Sequence, residues 1–116
     1  MGFKQEFSFE QRLEEASRVL QKYPDKAPII CEKYKNASKD CPDIDKKKYL
    51  VPRDLTMGQF LYIVRKRLNM PPEKAIFLFV GNYVSPSSLS INDVYNAKAD
   101  KDGFLYVTYS LENVFG

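Results

Sequence analysis

The sequence contains no histidine. That removes the commonest general base, the Cys-His and Ser-His nucleophile pairs, and every His-ligated metal site. Cysteine is scarce. Cys31 and Cys41 cannot build a four-thiolate zinc site, and with no sign of secretion they read as reduced thiols, Cys31 structural and Cys41 in an exposed loop. No apolar run approaches the roughly 18 residues a membrane helix needs, and no signal-peptide pattern opens the chain. Met1-Gly2 lacks a myristoylation context, because Glu6 stands where Ser or Thr is required. Repeats and low-complexity segments are also absent. These absences predict a soluble, intracellular protein that is not an enzyme and needs no metal or cofactor.

What is present suits one globular domain: 116 residues, 44% hydrophobic and 28% charged. The net charge of +3 is too small to argue for nucleic acid. Aromatics make up 14%, but they sit in apolar runs and do not interleave with basic residues as a base-stacking platform requires. Nucleic acid is not an expected partner.

Hydrophobic spacing then gives the elements. Phe9, Leu13, Ala16 and Leu20 recur at helical intervals, Ser8 and Gln11 form a capping box, and Tyr23 before Pro24 ends the helix. A shorter turn or helix precedes it around Lys4–Phe7. Ala27–Cys31 begins a strand, residues 34–47 read as a polar loop, and Lys48–Val51 is a second strand closed by Pro52. Thr56 and Gln59 cap a helix whose apolar positions (Met57, Phe60, Leu61, Ile63, Val64, Leu68) cover more than one face, and Pro71-Pro72 ends it. Ile76–Val80 is apolar without alternation, which predicts a central strand covered on both faces. Gly81-Asn82 turns the chain toward Tyr83-Val84, Ser90 caps a short helix, Asp102-Gly103 turns again, and Phe104–Tyr109 is the last strand. Two strands, a crossover helix and further strands is the β-grasp order of ubiquitin-like domains. A ferredoxin-like α+β sandwich is the alternative, and it would want the first helix after a strand.

Long stretches resemble a known family. Asp45–Pro52, Asp54-Leu55-Thr56, Gly58-Gln59-Phe60, Arg65-Lys66-Arg67, Pro72–Phe77 and Asp102–Tyr106 occur in the order seen in the autophagy ubiquitin-like modifiers, the family of GABARAP and microtubule-associated light chain three. Tyr23-Pro24-Asp25, Pro28 and Glu32-Lys33 fit the same pattern. The resemblance implies an α+β, ubiquitin-like β-grasp with an N-terminal two-helix extension: residues 1–26 as the helical extension, and 27–116 as the ubiquitin-like domain with a C-terminal glycine tail.

It also implies sites and partners. Gly116 would be the conjugation residue, joined to phosphatidylethanolamine by activating and conjugating enzymes of a ubiquitin-like cascade, with a cysteine protease for processing and delipidation. Nothing follows Gly116 here, so the chain is either a processed form or the product of a gene ending at glycine. Autophagy receptors carrying an aromatic-x-x-aliphatic motif would add along the second strand. By family correspondence Glu15, Val19, Pro28, Ile30, Lys48, Leu50 and Phe104 line an aromatic pocket. Tyr49, Val51, Pro52, Leu55, Phe60 and Ile63 line an aliphatic one. Strand alternation sends Lys48 and Leu50 one way and Tyr49 and Val51 the other. Ile30, Leu50, Phe60 and Ile63 also suit a core, whereas Lys48 and Tyr49 suit it less.

The charge is polarised, basic over residues 27–75 and acidic over 76–116. Lys26, Lys46, Lys47, Arg65 and Arg67, with Lys48 and Lys66 beside them, would form an electrostatic rim for acidic residues flanking the motif, each pair contributing about 1 kcal/mol or less. The expected setting is the cytoplasm and, after lipid attachment, the autophagosomal membrane. An unconjugated trafficking or cytoskeletal adaptor of the same fold is the alternative function.

Overall fold

The computed structural model describes residues 2–113. Helix α1 (Phe3–Glu6) is a single turn, and α2 (Phe9–Lys22) starts at the capping box read from the sequence. The Ser8 hydroxyl accepts from Gln11 N–H at 3.2 Å, and the Gln11 side chain accepts from Ser8 N–H at 2.8 Å. Two orphan amides of the first turn are thereby satisfied. Helix α3 (Met57–Leu68) repeats the device with Thr56 and Gln59, and ends on Asn69 in the left-handed region at φ 56°. Helix α4 (Ile91–Lys98) is capped by Ser90.

The strands β1 (Lys26–Lys33), β2 (Lys48–Pro52), β3 (Phe77–Val80), β4 (Tyr83–Val84) and β5 (Leu105–Ser110) form one mixed sheet in the order β2-β1-β5-β3-β4. Strands β1 and β5 are parallel, and every other pair is antiparallel. This is the ubiquitin-like β-grasp, with its helical extension on the outside. The ferredoxin-like alternative is set aside.

The run Ile76–Val80 gives an interior strand, as expected, with β5 on one side and β4 on the other. The middle position belongs to β5, while β3 starts at Phe77 and has only the two-residue β4 between it and the sheet edge. An unbroken apolar run reports coverage of both faces, which holds for Leu78 to Val80. It carries no information about which strands lie on either side.

Both sheet faces are covered. On the inner face Ala27, Ile29 and Cys31 of β1, Tyr49 and Val51 of β2, Leu78 and Val80 of β3, and Leu105, Val107 and Tyr109 of β5 pack against Met57, Phe60, Val64 and Leu68 of α3. The outer face carries a smaller cluster in which Ile30 and Phe104 meet Phe3 of α1 and Ala16 of α2, with Tyr106 alongside. The helical extension therefore stands on apolar residues of alternate register to those that build the main core.

Candidate functional site

Strand β2 is an edge strand: β1 binds one side, and no strand among the described residues binds the other. Its side chains alternate without exception, with Lys48, Leu50 and Pro52 exposed and Tyr49 and Val51 buried. The pairing continues one step past the strand end, where Arg53 N–H donates to the Asp25 carbonyl at 3.1 Å beyond the last strand pair. An edge of this kind presents backbone donors and acceptors to an extended peptide.

The outer side of this edge gathers the residues assigned to the aromatic pocket. Pro28 lies directly opposite Leu50, and Ile30 opposite Lys48. Above them runs α2, whose Glu15 carboxylate holds the Lys48 ammonium at 2.8 Å. Val19 stands one helical turn beyond Glu15 and is half-buried. Phe104, 3% exposed, closes the floor with Ile30. Leu50, at 36%, is the apolar member most open to solvent.

Five of the six residues assigned to the aliphatic pocket meet on the inner side, where β2 faces α3, while Pro52 at the strand end is exposed in phase with Lys48 and Leu50. Tyr49 and Phe60 contact edge to face with centroids 5.5 Å apart. Tyr49, Val51 and Phe60 are 7%, 2% and 0% exposed, so Pro52, Leu55 and Ile63 supply the reachable surface. Tyr49 is thus a core residue, against the expectation. Its hydroxyl is buried with no hydrogen-bond partner among the described residues, and burial pushes its pKa up to about 12. The ring buries enough apolar area to carry the polar tip inward.

The basic rim is largely occupied by local partners. Lys47 pairs with Glu32 at 3.3 Å, and Arg67 with Asp45 at 2.8 Å. Lys46 lies over the Tyr49 ring and Lys26 over the Tyr23 ring, while Lys66 stacks on Tyr62 outside the groove. Arg65 is engaged elsewhere, donating to the carbonyls of Pro71 at 3.0 Å and Lys74 at 2.6 Å, where it clamps the loop after α3. The run Lys46–Lys48 borders the groove, each lysine with a local partner: the Tyr49 ring, Glu32 and Glu15.

Three features escaped the sequence reading. Cys41 is 2% exposed, not an exposed loop thiol: the 34–47 loop folds back so that Cys41 joins the main core, and the Tyr109 hydroxyl donates to the neighbouring Pro42 carbonyl at 2.7 Å. Burial raises the Cys41 thiol, and it pushes Cys31 up to about 12, so neither has thiolate character. Second, a cavity of about 440 Å³ lies beside the predicted groove, walled by Phe3, Glu6 and Phe7 of the N-terminal segment and by Lys46–Lys48. The i, i+4 spacing of Phe3 and Phe7 was its only sequence signal. Third, Asp102 is fully buried with Arg12 at 2.6 Å. No group of three or more potential metal ligands occurs among the described residues, and no described helix is long and apolar enough to cross a membrane. Gly116, the expected conjugation residue, lies outside the described residues.

Comparison with known proteins agrees with this geometry. A family model described as autophagy protein Atg8, ubiquitin-like, matches residues 11–116. The chain is 54% identical over 115 residues to autophagy-related protein 8 of Vanderwaltozyma polyspora, covering 99% of this chain and 96% of that one. It is 55% identical over 115 residues to autophagy-related protein 8 of Mycosarcoma maydis, with the same coverage. Among solved structures, that of Trypanosoma brucei ATG8 superposes with a TM-score of 0.89 at 43% identity, covering 95% of this chain and 93% of that one.

Proposed function

The chain belongs to the Atg8 family of ubiquitin-like autophagy proteins, and from that premise we propose that it is conjugated through Gly116 to phosphatidylethanolamine and then recruits receptors along β2. As a ubiquitin-like autophagy modifier it is acted upon and does no catalysis itself. The Gly116 carboxylate attacks the α-phosphorus of ATP, releasing pyrophosphate, and the resulting acyl-adenylate is attacked by an enzyme thiolate, forming a thioester as AMP leaves. The lipid amine then attacks the thioester carbonyl, forming an amide and releasing the thiol. A glycine lets the tail thread a narrow enzyme cleft, since it has no Cβ to clash. The cascade's activating and conjugating enzymes and a delipidating cysteine protease are the implied partners. The double-chain lipid holds the protein on the autophagosomal membrane from a cytoplasmic pool. In this reading residues 1–26 are the extension, and 27–116 the ubiquitin-like domain.

The observation that carries the receptor half is the edge strand β2, whose free backbone side is flanked on one face by Leu50 under α2 and on the other by Leu55 and Ile63 at α3. A peptide adding there would place alternate side chains toward two different surfaces. Lys46–Lys48 would meet acidic residues at its flank, mainly raising the association rate.

Two assays test the proposal. Incubation with ATP, the family's activating and conjugating enzymes and phosphatidylethanolamine liposomes is expected to add one lipid mass at Gly116, and Gly116→Ala is expected to abolish the adduct. Lipidation of that variant at the unaltered rate refutes the tail assignment. Calorimetry with a motif peptide is expected to show binding lost in Tyr49→Ala with Leu50→Ala, while thioester formation persists. Undiminished peptide affinity in that variant refutes the groove.

A further inference from the structure

The turn between α4 and β5 holds the second ion pair of α2. Asp102 has no solvent exposure, and its carboxylate joins α2 through Arg12 to the Phe104 amide and the Tyr106 hydroxyl. Oδ2 accepts from Arg12 Nη1 at 2.6 Å and from the Tyr106 hydroxyl at 2.5 Å. Oδ1 accepts from the Phe104 N–H at 2.8 Å. Arg12 in turn donates through Nε to the Phe7 carbonyl at 3.2 Å. The turn itself is closed by Asp100 N–H donating to the Phe104 carbonyl at 2.8 Å, and by Gly103 N–H donating to the Asp100 carbonyl at 3.0 Å.

Packing repeats the same message. Gly103 adopts φ +96°, and a Cβ placed there would stand 2.8 Å from the Ala16 Cβ and 3.7 Å from Leu20. Arg12, Ala16 and Leu20 are spaced i, i+4 and i+8, so one stripe of α2 rests on this turn. The neighbouring stripe carries Glu15 and Val19, the two pocket residues that α2 supplies. The helix backbone cannot approach the sheet more closely than Gly103 permits, nor slide along it without breaking the Arg12 pair.

We propose that Asp102, acting through Arg12 on one side and the Phe104 amide on the other, is the positioning residue of the aromatic pocket, with Gly103 setting the height of α2 above the sheet. The inference rests on the groove reading above. One carboxylate joins floor and wall: Phe104, just before β5, below, and Glu15 and Val19 from the helix above. The width of the pocket, and hence its preference among aromatic side chains, is set by residues that never touch the ligand.

The test uses two peptides identical except for Trp or Phe at the aromatic position, titrated by calorimetry into the full chain and into Arg12→Gln, Gly103→Ala, and Gly103→Ala combined with Ala16→Gly. Each is measured where circular dichroism reports native folding. Arg12→Gln and Gly103→Ala are expected to change the Trp-to-Phe ratio of dissociation constants by roughly tenfold, the low end of what a misfit of one methylene costs in an apolar pocket. Ala16→Gly removes the atom that the new methyl strikes, so it is expected to return the ratio toward that of the unaltered chain. It does so without recovering thermal stability, because glycine weakens a helix interior. A purely structural role would lower stability and leave the ratio unmoved in all folded variants, and that result overturns the inference alone. Failure of the unaltered chain to bind either peptide overturns the groove reading and the inference with it.

Discussion

Tyr49 shows how a single residue can serve two demands at a cost. Its ring fills the crevice against Phe60, yet its hydroxyl ends buried without a partner among the described residues. Leaving such a group unsatisfied costs about 1–3 kcal/mol. Tyr49→Phe keeps the ring and removes the liability, so urea denaturation is expected to find the variant more stable by about 1 kcal/mol. A loss of stability instead would reveal a bridging water in solution. At this scale the sequence was only partly legible. The alternation of Lys48, Tyr49, Leu50 and Val51 was readable because it depends on strand geometry alone. The burial of Tyr49 was not, because amphipathic side chains populate cores and surfaces alike. Asp102 looked like half of an Asp-Gly turn, which it is, but its second role depends on a partner 90 positions earlier in the chain.

Among the elements, the helix starts were the most legible features, because a capping box is written within four residues. Removing one is expected to have a local and modest effect: Thr56→Ala should cost about 1 kcal/mol in a urea titration. The bounds of α2 and α3 likewise followed from Pro24 and Pro71 and from apolar spacing. Strand neighbours were not written locally, so the place of β5 in the middle emerged only with its parallel pairing to β1. Helix α1 is a single turn held by a few named groups. Phe3 is buried, its N–H donates to Glu32 at 2.9 Å, and Lys4 pairs with Asp100 at 2.8 Å. Burial pushes the Asp100 carboxyl upward, but the Lys4 hydrogen bond and the Asp102 N–H outweigh it and hold the pKa below its ordinary value. A depressed carboxyl contributes stability above its unfolded value, near 4, and loses it as pH falls through the folded value. Amide protection of Phe7, whose N–H donates to the Phe3 carbonyl, is therefore expected to stay constant from neutral pH to about 5 and to fall in stronger acid. Protection that stays flat into that stronger acid, while the rest of the molecule remains folded, would mean that Lys4 and Asp100 do not hold α1.

For the whole molecule, one sheet serves two unequal cores. The inner core carries the global stability, so Phe60→Ala, which empties a fully buried site, is expected to lower unfolding free energy by about 3–5 kcal/mol in denaturant titration. The outer cluster of Phe3, Ala16, Ile30 and Phe104 is smaller and holds the extension in place. The sheet order has a further consequence. The strand in the middle, β5, is the last one among the described residues, and it is wedged between β1 and β3. Until residues 105–110 leave the ribosome, the nascent chain has only β1–β2 and β3–β4 pairings available, with no strand to join them, and two inward-facing edges stand open. The sheet cannot close before β5 emerges, and open strand edges of that kind are adhesive.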